Sequence, residues 1–169
     1  TQCLAFSTDR GRTWTKYAGN PVVENLSADD RDPKVFRCDD HWTMALYVPR
    51  DEVRGIEFLT STDLKSWRVA SRVEGFYECP DCFPLGEKWA LFGADGDTLL
   101  GDFDGAAFTP DGEKRKSNWG PNYYAAQTYS DVPASDGRRV LIAWMNGGKY
   151  PGMPFNQQMT FPVALSLVG

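Results

Sequence analysis

Ser7-Thr8-Asp9-Arg10-Gly11-Arg12-Thr13-Trp14 decides the fold, because Ser61-Thr62-Asp63-Leu64-Lys65-Ser66-Trp67 says it again. Trp14 and Trp67 lie 53 residues apart. Gly101-Asp102-Phe103-Asp104-Gly105, followed by Phe108, reads as a third, degenerate copy. Each copy has the form of a strand end, a polar turn and a new strand opening on a large aromatic. An Asp side chain bonds turn amides, and the aromatic is expected to pack beneath the neighbouring sheet. A period near 50 residues fits the four-stranded blade of a β-propeller. The chain then holds about three blades.

The flanking sequence agrees. Short runs rich in Val, Ile, Phe, Tyr and Trp recur between Gly, Pro, Asp and Asn turns, and helical periodicity is weak. Pro33–Phe36, Trp42–Val48, Gly55–Ser61, Trp67–Arg72, Lys88–Gly93 and Arg139–Trp144 read as strands. The fold class is therefore all-β. A second ruler places Asp32, Glu78 and Tyr124 at equal intervals of 46 residues, each where an apolar strand begins. The first strand of every blade lines the propeller axis, so such residues converge on one funnel. Two carboxylates and a phenol around one axial pocket make a candidate active site. Three blades fall short of the four or more that close a propeller. The expectation is a fragment, or association with other copies through the open edges.

Composition narrows the partners. Eighteen basic residues against 23 acidic ones give a net charge of -5, with no basic patch, which argues against nucleic acid. No apolar run is long enough to span a membrane, and no leader is visible. Aromatic residues make up 14 % of the chain. Most are expected in the core, and the remainder suit a surface that stacks on sugar rings. Cys79-Pro80-Asp81-Cys82 has the C-x-x-C spacing of redox and zinc sites. With one histidine, His41, far off in sequence, it reads instead as two small residues on a buried strand. No metal or other cofactor is expected.

Three motifs carry chemistry. In Arg31-Asp32-Pro33 the proline is expected to keep Asp32 extended. Its carboxylate can then accept two bonds from vicinal sugar hydroxyls, with Arg31 positioning it or holding it ionised. Glu78 follows the mostly apolar Gly75-Phe76-Tyr77 and leads into a buried strand. Such a setting is expected to raise a carboxyl's pKa, as a general acid requires. Asn122-Tyr123-Tyr124-Ala125-Ala126-Gln127-Thr128 places small residues beside a phenol, and Trp144 can wall a ring. Taken singly, each motif also fits an ordinary turn, strand end or core contact.

Together, and in order, these segments resemble glycoside hydrolase family 32, the invertase, levanase and inulinase family of five-bladed propellers with an appended β-sandwich. The resemblance runs from Ala5–Trp14 and Asn20-Pro21-Val22 through Arg31–Val35, Glu78–Asp81, Tyr124–Thr128 and Ala143-Trp144-Met145 to Met159-Thr160-Phe161-Pro162. It implies Glu78 as acid/base and Asp32 as a transition-state stabiliser that binds fructosyl hydroxyls. Arg31, Tyr124 and Trp144 would line the fructose subsite, and Cys79 would sit beside Glu78 and tune it. The partner would be a fructose-containing oligo- or polysaccharide, and the setting, by family analogy, extracellular or periplasmic.

The family's nucleophilic Asp lies in a Trp-Met-Asn-Asp-Pro-Asn-Gly-like motif that has no counterpart here. The expectation for residues 1–169 is a partial catalytic propeller without its first blade, the end of the propeller or the sandwich, and with little turnover alone. Asn122 stands where many members carry Asp. Two other readings remain open. The repeated turn also occurs in sialidase-like propellers, although no arginine cluster for a substrate carboxylate is visible. A glycan-binding module that lost catalysis would keep the same wall.

Overall fold

A computed structural model describes residues 1–168, and among them there is no helix. A hairpin of β1 (Ala5–Phe6) and β2 (Thr15–Lys16) comes first. Next is a four-stranded antiparallel meander of β3 (Arg31–Cys38), β4 (His41–Tyr47), β5 (Gly55–Ser61) and β6 (Arg68–Glu74). A second meander holds β7 (Asp81–Leu85), β8 (Lys88–Phe92), β9 (Asp97–Phe103) and β10 (Phe108–Pro110), with β11 (Arg115–Lys116) extending the outer edge along β9. In the third sheet, β12 (Tyr124–Thr128) pairs with β13 (Arg139–Met145). Both β14 (Gln158–Met159) and β15 (Val163–Leu165) pair with the far side of β13. These are two complete blades, a third with its outermost strand absent among the described residues, and an outer hairpin.

The three copies of the turn occupy equivalent places, at β1–β2, β5–β6 and β9–β10. Asp63 Oδ1 accepts the amides of Lys65 and Ser66, and Asp104 Oδ1 those of Ala106 and Ala107. Asp9 Oδ1 accepts the Thr13 amide, and the Trp14 and Trp67 indoles donate to the carbonyls of Gly11 and Leu64. These bonds hold the Asp9 carboxyl down at about 2, the Thr13 amide first and the Ser7 hydroxyl next. The expectation for the aromatics holds for Phe108 and Trp67, which pack on cores, and fails for Trp14, which is exposed. Trp14 opens a two-stranded ribbon, and among the described residues no further sheet covers the ring.

The cores lie between the sheets. Met44, Leu46, Val48 and Leu59 face the segment that carries Val23. Ala45, Ile56 and Phe58, on the other face of the same blade, meet Phe76, Leu91, Leu99 and Phe103 of the second. Ala90 and Phe92 point the opposite way, toward Ala126, Leu141 and Ala143 of the third. Successive side chains of a strand alternate between faces. A blade buried on both faces therefore needs apolar residues at consecutive positions, as in Trp42–Tyr47 and Trp89–Phe92.

Candidate active site

The three inner strands β3, β7 and β12 share one irregularity, and it builds the site. Arg31 pairs with Tyr47 and Lys34 with Ala45, so three steps on β3 oppose two on β4. Tyr124 pairs with Trp144 and Gln127 with Ile142, in the same ratio. Before β7, Ala94 donates to the carbonyls of Tyr77 and Glu78, while Asp81 pairs with Phe92. Each strand thus carries a bulge at one blade position, centred on residues with positive φ: Asp32 (61°), Cys79 (43°) and Ala125 (50°). A bulge re-aims the side chains around it. The expectation that Pro33 keeps Asp32 extended is therefore wrong. The bulge demands a left-handed residue there, and Asp accepts that conformation more readily than most.

The bulges also correct the ruler. Arg31, Glu78 and Tyr124 are the equivalent residues, and Asp32 is equivalent to Cys79 and Ala125. The intervals are 47 and 46, since the first two blades differ by one residue in length. The equivalent side chains touch one another. The Arg31 guanidinium donates to Glu78 Oε1, and the Tyr124 hydroxyl to Oε2. Glu78 therefore sits between a fixed cation and a phenol, each on a different blade.

Other groups hold this tier. Arg31 also bonds the Asp29 carbonyl at 2.8 Å and faces its carboxylate at 2.5 Å. The guanidinium lies over the buried Tyr47 ring, 4.8 Å from its centroid, with Tyr77 on another side at 6.0 Å. Such cation–π contacts contribute roughly 0.5–2 kcal/mol, more when desolvated. Asp32 Oδ2 accepts the Cys79 amide at 3.1 Å and its thiol at 3.5 Å, whereas Arg31 Nε is 3.9 Å away. Cys79 thus addresses Asp32 rather than tuning Glu78 directly, and Arg31 bonds Glu78 rather than Asp32. Trp144 stands beside Tyr124, ring centroids 6.3 Å apart and nearly perpendicular.

The electrostatics overturn one expectation. Burial pushes the Glu78 carboxyl up, but the bonds from Tyr124 and Arg31 outweigh it, and the group is held below its usual range. Sequence showed the apolar approach through Phe76 but not that Tyr124 and Arg31 converge on Glu78 from the neighbouring blades. Burial and then the Glu78 carboxylate raise the Tyr124 hydroxyl, so it stays a donor. Burial and the adjacent Asp32 push the Cys79 thiol up to about 12, so it is neutral rather than a nucleophile. Cys82 is buried on β7, and no disulfide forms among the described residues. Nor is any group of three or more His, Cys, Asp or Glu side chains there arranged to hold a metal ion.

The sequence reading missed Tyr47 and Tyr77, which cage Arg31, and Lys34, Asp81 and Gln127 one layer deeper. Tyr77 and Asp81 were within reach, since they flank Glu78 and the C-x-x-C run. Nothing local marked Tyr47 as different from its apolar strand neighbours.

Comparison with known proteins supplies the context. The family model described as the glycosyl hydrolases family 32 N-terminal domain matches residues 1–169. A levanase of Bacillus subtilis is 36 % identical over 98 % of the chain and 29 % of its own length. An extracellular exo-inulinase of Aspergillus niger is 30 % identical over 99 % of the chain and 39 % of its own. Among solved structures, β-fructofuranosidase from Schwanniomyces occidentalis complexed with fructosyl-erythritol superposes with a TM-score of 0.80 at 28 % identity. It covers 97 % of this chain and 36 % of that one. A Bombyx mori β-fructofuranosidase mutant in complex with sucrose gives 0.78 at 28 % identity, over 99 % and 42 %. The chain thus spans 29 to 39 % of the length of these two curated relatives.

Proposed function

Since this chain belongs to glycosyl hydrolases family 32, we propose that it supplies the acid/base and the fructose-holding side chains of a retaining β-fructosidase. The observation that carries the reading is the inter-blade triad in which Arg31 and Tyr124 grip the two oxygens of Glu78. Glu78 protonates the glycosidic oxygen, then takes the proton of the incoming water. Asp32 accepts vicinal hydroxyls of the fructosyl ring and stabilises the oxocarbenium-like state. Arg31, Tyr124 and Trp144 line the subsite, and Cys79 holds Asp32 in position. The substrate class is sucrose, levan or inulin.

The attacking carboxylate is none of the acidic residues in this tier. It comes, in this reading, from outside these 169 residues, and the isolated chain has little turnover. That second carboxylate also resolves the low pKa of Glu78. In a retaining pair the two carboxyls stand about 5–5.5 Å apart, and a like charge at that distance disfavours the ionised form of its neighbour. That repulsion raises the Glu78 pKa back toward the range a general acid needs, against the two donors that favour its ionised form. In the isolated chain, the exposed Phe6 and Trp14 of the hairpin and Met159 and Val163 of the third sheet, with Phe161 between them, are the apolar surfaces through which copies would associate.

The test is fructose release from sucrose, inulin and levan by the full-length protein that carries this chain. Glu78→Gln is expected to lower kcat by at least about 10²-fold. Undiminished release by that variant, or release from none of the three substrates by the unaltered protein, would sink the reading.

A further inference from the structure

Below the Glu78 tier the same three strands carry a second polar layer that the chemistry above leaves unused. Lys34 of β3, Asp81 of β7 and Gln127 of β12 occupy equivalent positions, three residues after Arg31, Glu78 and Tyr124. In a regular strand residues i and i+3 point to opposite faces. The bulge between them adds a residue to each strand, so both layers turn toward the axis. The Asp81 side chain is 1 % exposed. Its Oδ2 accepts the Thr128 amide at 2.5 Å, and its Oδ1, without a hydrogen bond among the described residues, faces Lys34 Nζ at 3.3 Å. Lys34 also donates to the Thr128 carbonyl at 3.1 Å and to Gln127 Oε1 at 3.5 Å. Gln127 Nε2 donates to the carbonyls of Cys79 and Pro80 at 3.1 and 3.4 Å, inside the bulge that carries Glu78.

Resting on the β-fructosidase reading, we infer that Lys34, Asp81 and Gln127 are positioning residues that set the spacing of the three inner strands and hold Arg31 and Tyr124 within bonding reach of Glu78. The physical case is that each bond in this layer crosses from one blade to another. A buried carboxylate with one facing cation cannot let that cation drift, because an unpaired buried charge is costly. Gln127 then ties the layer to the backbone whose conformation aims Glu78 and Cys79. Small displacements at a reacting centre cost large factors in rate, so a layer that removes play between blades acts on kcat more than on KM.

The experiment uses the full-length protein with Lys34→Met, Gln127→Met, the paired Lys34→Met with Asp81→Leu, and Lys34→Arg. Two readouts are taken: kcat and KM on sucrose, and the titration of the Glu78 carboxyl by NMR in protein labelled at glutamate. The second needs no substrate, so it decides the inference even if Glu78→Gln shows the functional reading to be wrong. Loosening the layer withdraws the donors from Glu78, so its titration midpoint moves upward, while kcat falls about tenfold or more and KM changes less than about threefold. The apolar pair is expected to recover the thermal stability lost by Lys34→Met but keep the raised midpoint and low kcat. Lys34→Arg is expected to retain both at the unaltered protein's values. If Gln127→Met and the apolar pair keep the original midpoint and kcat, the layer serves stability alone and the inference is overturned.

Discussion

Glu78 shows how far a residue's properties depend on partners it does not meet in sequence. Its immediate neighbours are apolar, yet its carboxyl is held low because burial is outweighed by Tyr124 and Arg31. The sign of a perturbation follows. Tyr124→Phe removes a donor to the charged form, so the Glu78 pKa rises. A general acid loses activity as pH climbs through its pKa, so the alkaline limb of kcat/KM is expected to move upward while kcat falls. A pH–rate profile of the variant checks this, and a downward shift would contradict the assignment of Glu78 as the acid. Arg31→Lys tests the cage. An ammonium cannot serve Asp29 and Glu78 through a planar fork or stack on Tyr47 in the same way, and a loss of about tenfold or more in kcat/KM is expected.

At the scale of elements, the bulge is the device that turns ordinary strands into a site. Ala125 sits at φ 50°, a conformation that costs an L-residue about 1–2 kcal/mol. Ala125→Gly relieves that cost and is expected to stabilise by up to about 1 kcal/mol, net of added chain entropy, read as a higher urea midpoint. A substitution on β9 works the other way. Gly101 faces Pro110 and Trp89 across its two strand pairings, and a Cβ there would lie well inside van der Waals contact with the Thr109 carbonyl oxygen. Backbone on both sides leaves little room to shift, so Gly101→Ala is expected to destabilise by about 1–3 kcal/mol.

At the scale of the whole molecule, blades are joined by apolar cores and by a few polar latches. His41 on the first blade bonds the Gly105 carbonyl on the second, and Thr43 bonds the same oxygen. That carbonyl and then Asp40 raise the His41 pKa above its ordinary value. A group raised on folding contributes stability that is complete below its unfolded pKa and fades as pH rises through the folded one. The melting temperature is therefore expected to fall as pH rises above about 6.5, the ordinary histidine value, and His41→Gln is expected to flatten that slope. The carboxyls of Glu78 and Asp97 are held low, against burial, by Tyr124 and Arg31 in one case and by Lys116 and Lys114 in the other. Their contribution is present above their unfolded values and is lost as acid carries pH down through the folded ones. Stability measured by denaturant titration across pH tests both directions.

The repeated Asp turn and the 50-residue period determined the all-β blade architecture, because an Asp cap and a strand-opening aromatic are local devices that any chain with that spacing must resolve in the same way. The ordered motifs likewise singled out Arg31, Asp32, Glu78, Cys79, Tyr124 and Trp144 as candidates. The tertiary structure alone decided who touches whom. Counting residues made Asp32 the partner of Glu78 in register, whereas a one-residue difference between blades makes Arg31 that partner. It set the charge state of Glu78, which depends on donors from the neighbouring blades, and it revealed Lys34, Asp81 and Gln127, whose common facing exists only because three bulges turn two layers toward one axis. Electrostatics and strand register are sums over neighbours in space, and those neighbours stand some 46 residues apart in the chain.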